Sequence, residues 1–180
     1  MERYRIVEGV GLYYVTFAVV EWLPVFVDET ACRIITDSLN FCVQNKSLGV
    51  NAYVIMPTHL HATTFDREFN AARLKHTLDD MRKFTGRQLL DHCARHLPKC
   101  FTEVFRKHAG DDRQHRFWQP TQHPIGIFSQ GFWKQKTDYL HDNPCRKGLV
   151  YSPEDWRFSS ASYWMTKRKN DVQLLDVVWE

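Results

Sequence analysis

The hydrophobic pattern predicts an α+β chain built on an antiparallel sheet, and three observations carry that prediction. Residues 10–20 and 58–65 alternate with a period of two, residues 50–56 are apolar on both faces, and residues 28–46 and 70–92 repeat at helical spacing. In the first strand Tyr13, Val15, Phe17 and Val19 share one face and Leu12, Tyr14, Thr16 and Ala18 the other. The first helix opens on Asp28, a residue type that caps helices. Its apolar stripe is Ala31, Ile34, Ile35, Leu39, Cys42 and Val43. The run at 50–56 suits a central strand, and Pro57, which cannot donate to a ladder, separates it from the strand at 58–65. The second helix turns Ala71, Leu74, Leu78 and Met81 inward and adds positive charge with Lys75, Arg82, Lys83 and Arg87. Residues 97–117 contain Pro98, Gly110 and a polar run, so a loop is expected there. A short strand near 122–128 precedes a helix over 130–143, which Ser129 can cap and Pro144 is expected to end. The order β-α-β-β-α-β, with a further helix, is the ferredoxin-like pattern, with helices expected on one face of the sheet. One domain is expected over 1–165. The tail, 166–180, is polar and basic and then apolar, suited to packing back or wrapping a partner.

A length of 180 residues suits a single core of ordinary composition, 43% hydrophobic and 25% charged. Net charge is +3, so a nucleic-acid partner depends on local patches rather than the total. The N-terminus is charged and lacks an apolar signal core, and no stretch approaches the roughly 20 apolar residues of a membrane span. Five scattered cysteines without a C-x-x-C pair suit reduced thiols, and a cytoplasmic location is expected.

His59 and His61 are two apart in a strand, so both imidazoles point to one face and can reach one metal. A third ligand is needed, and Asp66 and Glu68 are poorly placed to supply it. Tyr139 and Asn143 are four apart on a helix and share a face, with Cα atoms about 6 Å apart along the axis. A phenol and a carboxamide could then meet one metal-bound phosphate, Tyr139 attacking and Asn143 offering its carbonyl oxygen to the metal. A free tyrosine is only about a thousandth ionised at pH 7, so a divalent cation that favours the phenolate has a clear use. Lys136 is one turn from Tyr139 on the same side and Lys134 points elsewhere.

The two segments together resemble a known group. The stretch YVIMPTHLHATTF resembles the strand signature of the HUH tyrosine transposases, in which two histidines flank a bulky apolar residue. DYLHDNPCRKGLV resembles the Tyr-x-x-x-Asn-Pro segment of the REP-associated tyrosine transposases, and PEDWRFSSASYW their Trp-x-x-Ser-Ser element. The resemblance spans residues of about 10 to 164. It implies a ferredoxin-like fold, Tyr139 as nucleophile, and His59, His61 and Asn143 as ligands to Mg²⁺ or Mn²⁺. It also implies transesterification of single-stranded DNA through a 5′-phosphotyrosine. The substrates would be hairpins of REP-like palindromes with a short guide sequence, in a bacterial, nucleoid-associated setting, with the enzyme a monomer or homodimer. Three features depart from the pattern: Thr58 before the first histidine, a long stretch at 93–117, and His141 with Asp142 on the tyrosine helix. His141 falls on a different face from Tyr139 and is expected at the surface, at most touching DNA.

Expected DNA contacts are Arg3, Arg5, Lys75, Arg82, Lys83, Arg87, Arg113, Arg116, Lys134 and Lys136, with most phosphate contacts positioning rather than specifying. Two other readings compete. His92, His96 and Cys100 are spaced at four, but Pro98 breaks a helical zinc site. His61-Ala62-Thr63 matches half of a two-histidine phosphoesterase pattern whose second half is missing. A non-catalytic, domesticated hairpin-binding protein is the remaining alternative.

Overall fold

The computed structural model describes residues 5–110, 114–121 and 123–179, so Arg3 and Arg113 lie outside the described residues. Four strands, β1 (Leu12–Ala18), β2 (Leu48–Met56), β3 (His59–Asp66) and β4 (Ile125–Ile127), form one sheet in the order β2-β3-β1-β4. Every neighbouring pair is antiparallel, so β1 and β2 run the same way with β3 between them. This is the split β-α-β arrangement of a ferredoxin-like sheet. The helices are α1 (Glu29–Asn45), α2 (Ala71–His96), α3 (Lys99–Lys107), α4 (Gln130–Arg146) and α5 (Ala161–Thr166). Three begin where a side chain accepts a free amide: Asp28 from Ala31 N, Asn70 from Arg73 N and Ser129 from Phe132 N.

The sheet separates two apolar cores. Tyr13, Val15 and Phe17 of β1 and Leu60 and Ala62 of β3 pack with the inward stripes of α1 and α2. Leu12, Tyr14, Ala52, Val54 and Met56 pack on the opposite face with Leu140 of α4. The helices therefore cover both faces and not one. The alternation along β3 places His59 and His61 on the α4 side.

Three local expectations are corrected. Residues 99–107 form a helix within the expected loop, with Phe105 fully buried and Phe101 and Val104 packed against the core. Pro98 precedes that helix, a position where a missing N–H costs nothing. Pro144 lies inside α4, which continues to Arg146; the buried proline forfeits one hydrogen bond near an end where few remain. Finally, β2 stands at an edge of the sheet although all nine of its residues are buried. A later segment covers that edge: Ile55 N donates to Phe158 O, Ser160 N to Tyr53 O and Leu175 N to Val50 O. An edge closed in this way tolerates a strand apolar on both faces.

The turn from β3 into α2 is organised by Asp66, which is 2% exposed. Its carboxylate accepts from Glu68 N, Asn70 N and two nitrogens of Arg73. Arg73 and the backbone donors hold this carboxyl below its usual range. Asp66→Ala should lower stability by about 1–3 kcal/mol, the cost of part-buried donors left without an acceptor. Because the folded-state value is depressed, the contribution is full above the ordinary carboxylate range and is lost as pH falls through the folded value. Urea melts of the two proteins should therefore differ at pH 7 and converge in acid. A constant difference down to pH 2 would show that the carboxylate charge is not the source.

Candidate active site

His59 opens β3 directly after the Pro57-Thr58 turn, and His61 follows it on the same face. Their ring centroids are 4.5 Å apart at 70°. Each residue is 8% exposed. Nδ1 of His61 is 2.8 Å from Thr16 Oγ1 on β1, and Nδ1 of His59 is 2.8 Å from Thr58 Oγ1. In the tautomer in which Nδ1 donates to the threonine oxygen, Nε2 of each ring carries the lone pair. Burial pushes the His59 pKa down to about 4, helped by Lys147, and that of His61 to about 3, helped by His59 and Lys136. Both rings are neutral at pH 7, the form that ligates metals.

α4 crosses this face. Tyr139 is 43% exposed, and its ring lies 6.2 Å from that of His61. The Arg146 guanidinium lies 5.0 Å from the tyrosine ring, and Lys136 Nζ 5.3 Å from the ring of Tyr14. Asn143 is buried one turn on from Tyr139. Its side chain makes no hydrogen bond among the described residues, so the amide is uncommitted. No group of three or more His, Cys, Asp or Glu side chains poised for a metal occurs among the described residues. An ion at the histidine pair therefore needs a third ligand of another type, and an uncommitted amide fits that need.

Two further residues border the pair and were not singled out from the sequence. Tyr14 is buried, its ring 5.2 Å from that of His61, and its hydroxyl has no hydrogen-bond partner among the described residues. Burial, with Tyr139 nearby, raises its pKa, so it stays a neutral donor. Trp22 is 53% exposed, its ring 5.5 Å from His59 and nearly perpendicular to it. Glu21 and Trp22 both have left-handed backbone, with φ of 52° and 53°. Such residues persist only where the surroundings over-determine them. Here Val19 N donates to Thr58 O and Val20 N to Phe117 O, on either side of the chain as it leaves β1. A lone tryptophan in a short turn before a proline was the only available sign.

His141 is corrected: it is buried rather than at the surface, and its Nε2 is 2.7 Å from Ser160 Oγ. Ser160 Oγ also accepts from Tyr53 N and donates to Tyr53 O. The Ser-Ser element thus fastens α4 to the covered edge of β2. Of the expected DNA contacts, Lys136 stands at the histidine pair. Lys134 is exposed and ion-paired with Asp138 at 2.6 Å. Arg5, Lys75, Arg82, Lys83, Arg87 and Arg116 line two cavities beside α2. His92, the first residue of the rejected zinc spacing, is bonded to Asp28 at 2.9 Å, and Cys100 is exposed on α3.

No protein-family model matches the chain, and neither does any curated protein. Among solved structures, the chain superposes over its full length on a REP-associated tyrosine transposase bound to a REP hairpin. The TM-score is 0.61 at 17% identity, with 95% of that protein covered. The chain has the fold of a REP-associated tyrosine transposase. A transposase-like protein of Deinococcus radiodurans R1 is also similar, at TM-score 0.47 and 18% identity, covering 79% of this chain and 97% of that one. In this fold α4, which carries Tyr139, is added to the ferredoxin-like order and packs on the histidine face.

If the serine clamp seats α4, Ser160→Ala should lower stability by about 1–3 kcal/mol, since it strands the buried His141 and Tyr53 groups. Amide exchange across α4 should quicken more than in α1. Equal exchange in both helices would reject the clamp.

Proposed function

We propose that the chain is a DNA strand nuclease and transferase that cuts single-stranded DNA at hairpins and rejoins it through Tyr139. The observation that carries this reading is the approach of the half-exposed Tyr139 to the neutral pair His59 and His61. The substrate class is drawn from the fold: a similar protein is described bound to a REP hairpin. REP-like palindromes with a short guide sequence are the proposed targets.

His59, His61 and Asn143 would hold Mg²⁺ or Mn²⁺. When bound, such an ion supplies positive charge that offsets the scissile phosphate and favours the phenolate. The chain's own groups do the rest. Thr16 and Thr58 orient the imidazoles. Tyr139 Oη attacks the phosphorus and gives its proton to solvent. The bond from phosphorus to the 3′ oxygen breaks, that oxygen takes up a proton, and a 5′-phosphotyrosine remains. Attack by another 3′-OH reverses the step, so phosphodiester bonds are conserved without an energy source. Lys136 adds positive charge beside Tyr14, and Arg146 beside Tyr139. Trp22 offers its ring to an unpaired base next to His59.

Labelled hairpin DNA with Mn²⁺ or Mg²⁺ should form an adduct that survives denaturation, and chelation should prevent it. Tyr139→Phe should abolish the adduct and leave hairpin binding unchanged. An adduct in the phenylalanine variant would sink the assignment, and binding with no adduct from the unaltered protein would make it a hairpin-binding protein only. Trp22→Ala should weaken binding of an unpaired strand by about 1–3 kcal/mol, the worth of one stacked base. Trp22→Phe should recover most of the loss, and equal losses in both variants would exclude stacking.

A further inference from the structure

The inward stripes of α1 and α2 leave two phenylalanines unused. Phe41 precedes the buried Cys42 on α1, and Phe84 follows the buried Met81 by three residues on α2. Both phenylalanines are 56% exposed. The two helices run antiparallel: Asp28, at the start of α1, is bonded to His92 near the end of α2, and Cys42 lies close to Asp80. Between the helices is a groove of about 470 Å³, lined by the buried Cys42 and Met81 and by the two exposed phenylalanines. All its lining residues come from α1, its cap Lys46 and α2. Isolated exposed apolar residues are ordinary, but two aromatic rings flanking an apolar groove mark an interaction surface.

Three observations say what covers this groove. First, the charges beside Phe41 complement themselves. Asp37 and Lys46 line the groove on either side of Phe41, and neither is in an ion pair among the described residues. Arg33, one turn before Asp37, is committed to Glu29 at 2.6 Å. When α1 crosses a copy of itself antiparallel at Phe41, each Lys46 stands over Asp37 of the other copy. Second, α2 carries the same symmetry. Asp80 and Gln88 line the groove four residues before and four after Phe84. An antiparallel crossing at Phe84 sets the Gln88 carboxamide against the Asp80 carboxylate, which on its own helix also meets His76 at 3.2 Å. A two-fold interface needs this property, because one patch must complement itself. Third, the face is large enough. The 17 residues of α1 extend about 25 Å, and two helices side by side are about 20 Å wide. The face therefore offers about 500 Å² per copy, or ~1,000 Å² in a pair, at the lower end of specific interfaces.

We infer that two copies of the chain associate through the α1–α2 face as a reversible two-fold dimer. Phe41 and Phe84 fill the centre, where aromatic anchors carry most of the binding energy, and the charged and amide groups form the rim. The sheet edges are poor alternatives for pairing. β2 is covered by Phe158, Ser160 and Leu175 of its own chain, and β4 has only three residues. Tyr139 and the histidine pair lie on the other face of the sheet, so both copies keep their candidate centres open. Association through α1 and α2 is independent of any chemistry at Tyr139.

The test is sedimentation velocity of the full chain from low to high micromolar concentration. The mass should climb from one chain, 21.4 kDa, towards two. Phe41→Ser with Phe84→Ser should weaken the dimer by roughly tenfold or more, as removal of central aromatic anchors does. Both rings are exposed, so the variant should keep the urea midpoint of the unaltered protein. Asp37→Lys and Lys46→Asp each set like charges opposite one another, and each should weaken the dimer by about fivefold. Combined, the two reversals restore opposite charges and should recover most of the affinity. A single-chain mass throughout would leave the groove to a different partner and overturn the dimer. A dimer indifferent to the two phenylalanines, or a combined charge variant no better than the single ones, would overturn it as well.

Discussion

Everything at the candidate centre depends on how α4 sits on the sheet. Leu140 is fully buried among Leu12, Tyr14, Val54, Met56 and Ile127, and burial of one leucine contributes about 1.5–3 kcal/mol. Trp133, two turns earlier, donates from Nε1 to Asn51 Oδ1, and His141 is tied to Ser160. A helix held at these points has little freedom to slide or rotate. Tyr139 precedes Leu140 by one residue, or about 100° around the axis. It therefore stands at the border of the buried face, close enough to meet His61 and open enough to meet a substrate.

The same packing sets the electrostatics. Exposed imidazoles would titrate near pH 6.5 and be partly cationic under ordinary conditions. Under α4 they are held neutral, while Lys136 and Lys147 add to the depression without any carboxylate opposing them. The histidines are thus a neutral pair within a positive surround. The threonine hydroxyls on both Nδ1 atoms complete the arrangement, since they decide which nitrogen faces outward. Thr58 thus has a definite place, with its hydroxyl on Nδ1 of His59.

Much of this was legible in the chain, for identifiable reasons. The side-chain alternation of β3 put His59 and His61 on one face, and helical spacing put Tyr139 with Asn143. Both rules are local and survive any tertiary context. The strand order was readable because its connections follow the commonest split β-α-β pattern. What was missed depends on distant partners. β2 looked central because its free edge is covered by Phe158, Ser160 and Leu175, more than a hundred residues later. His141 looked like a surface residue because Ser160 is its partner. α3 was hidden by Pro98, which was taken as a breaker although it stands at the start of the helix. Trp22 and Tyr14 gain their positions from tertiary packing alone.

The sheet also acts as a divider. In a two-layer ferredoxin-like domain one face is free for solvent or ligand, whereas here helices lie on both faces. The α4 side gathers half-exposed aromatic rings and uncommitted polar groups around the histidines. The α2 side holds the guanidinium groups of Arg82 and Arg116 and the exposed rings of Phe41 and Phe84. The two sides of the sheet therefore differ in the residue types they carry. β4, only three residues long, forms the sheet edge adjoining β1.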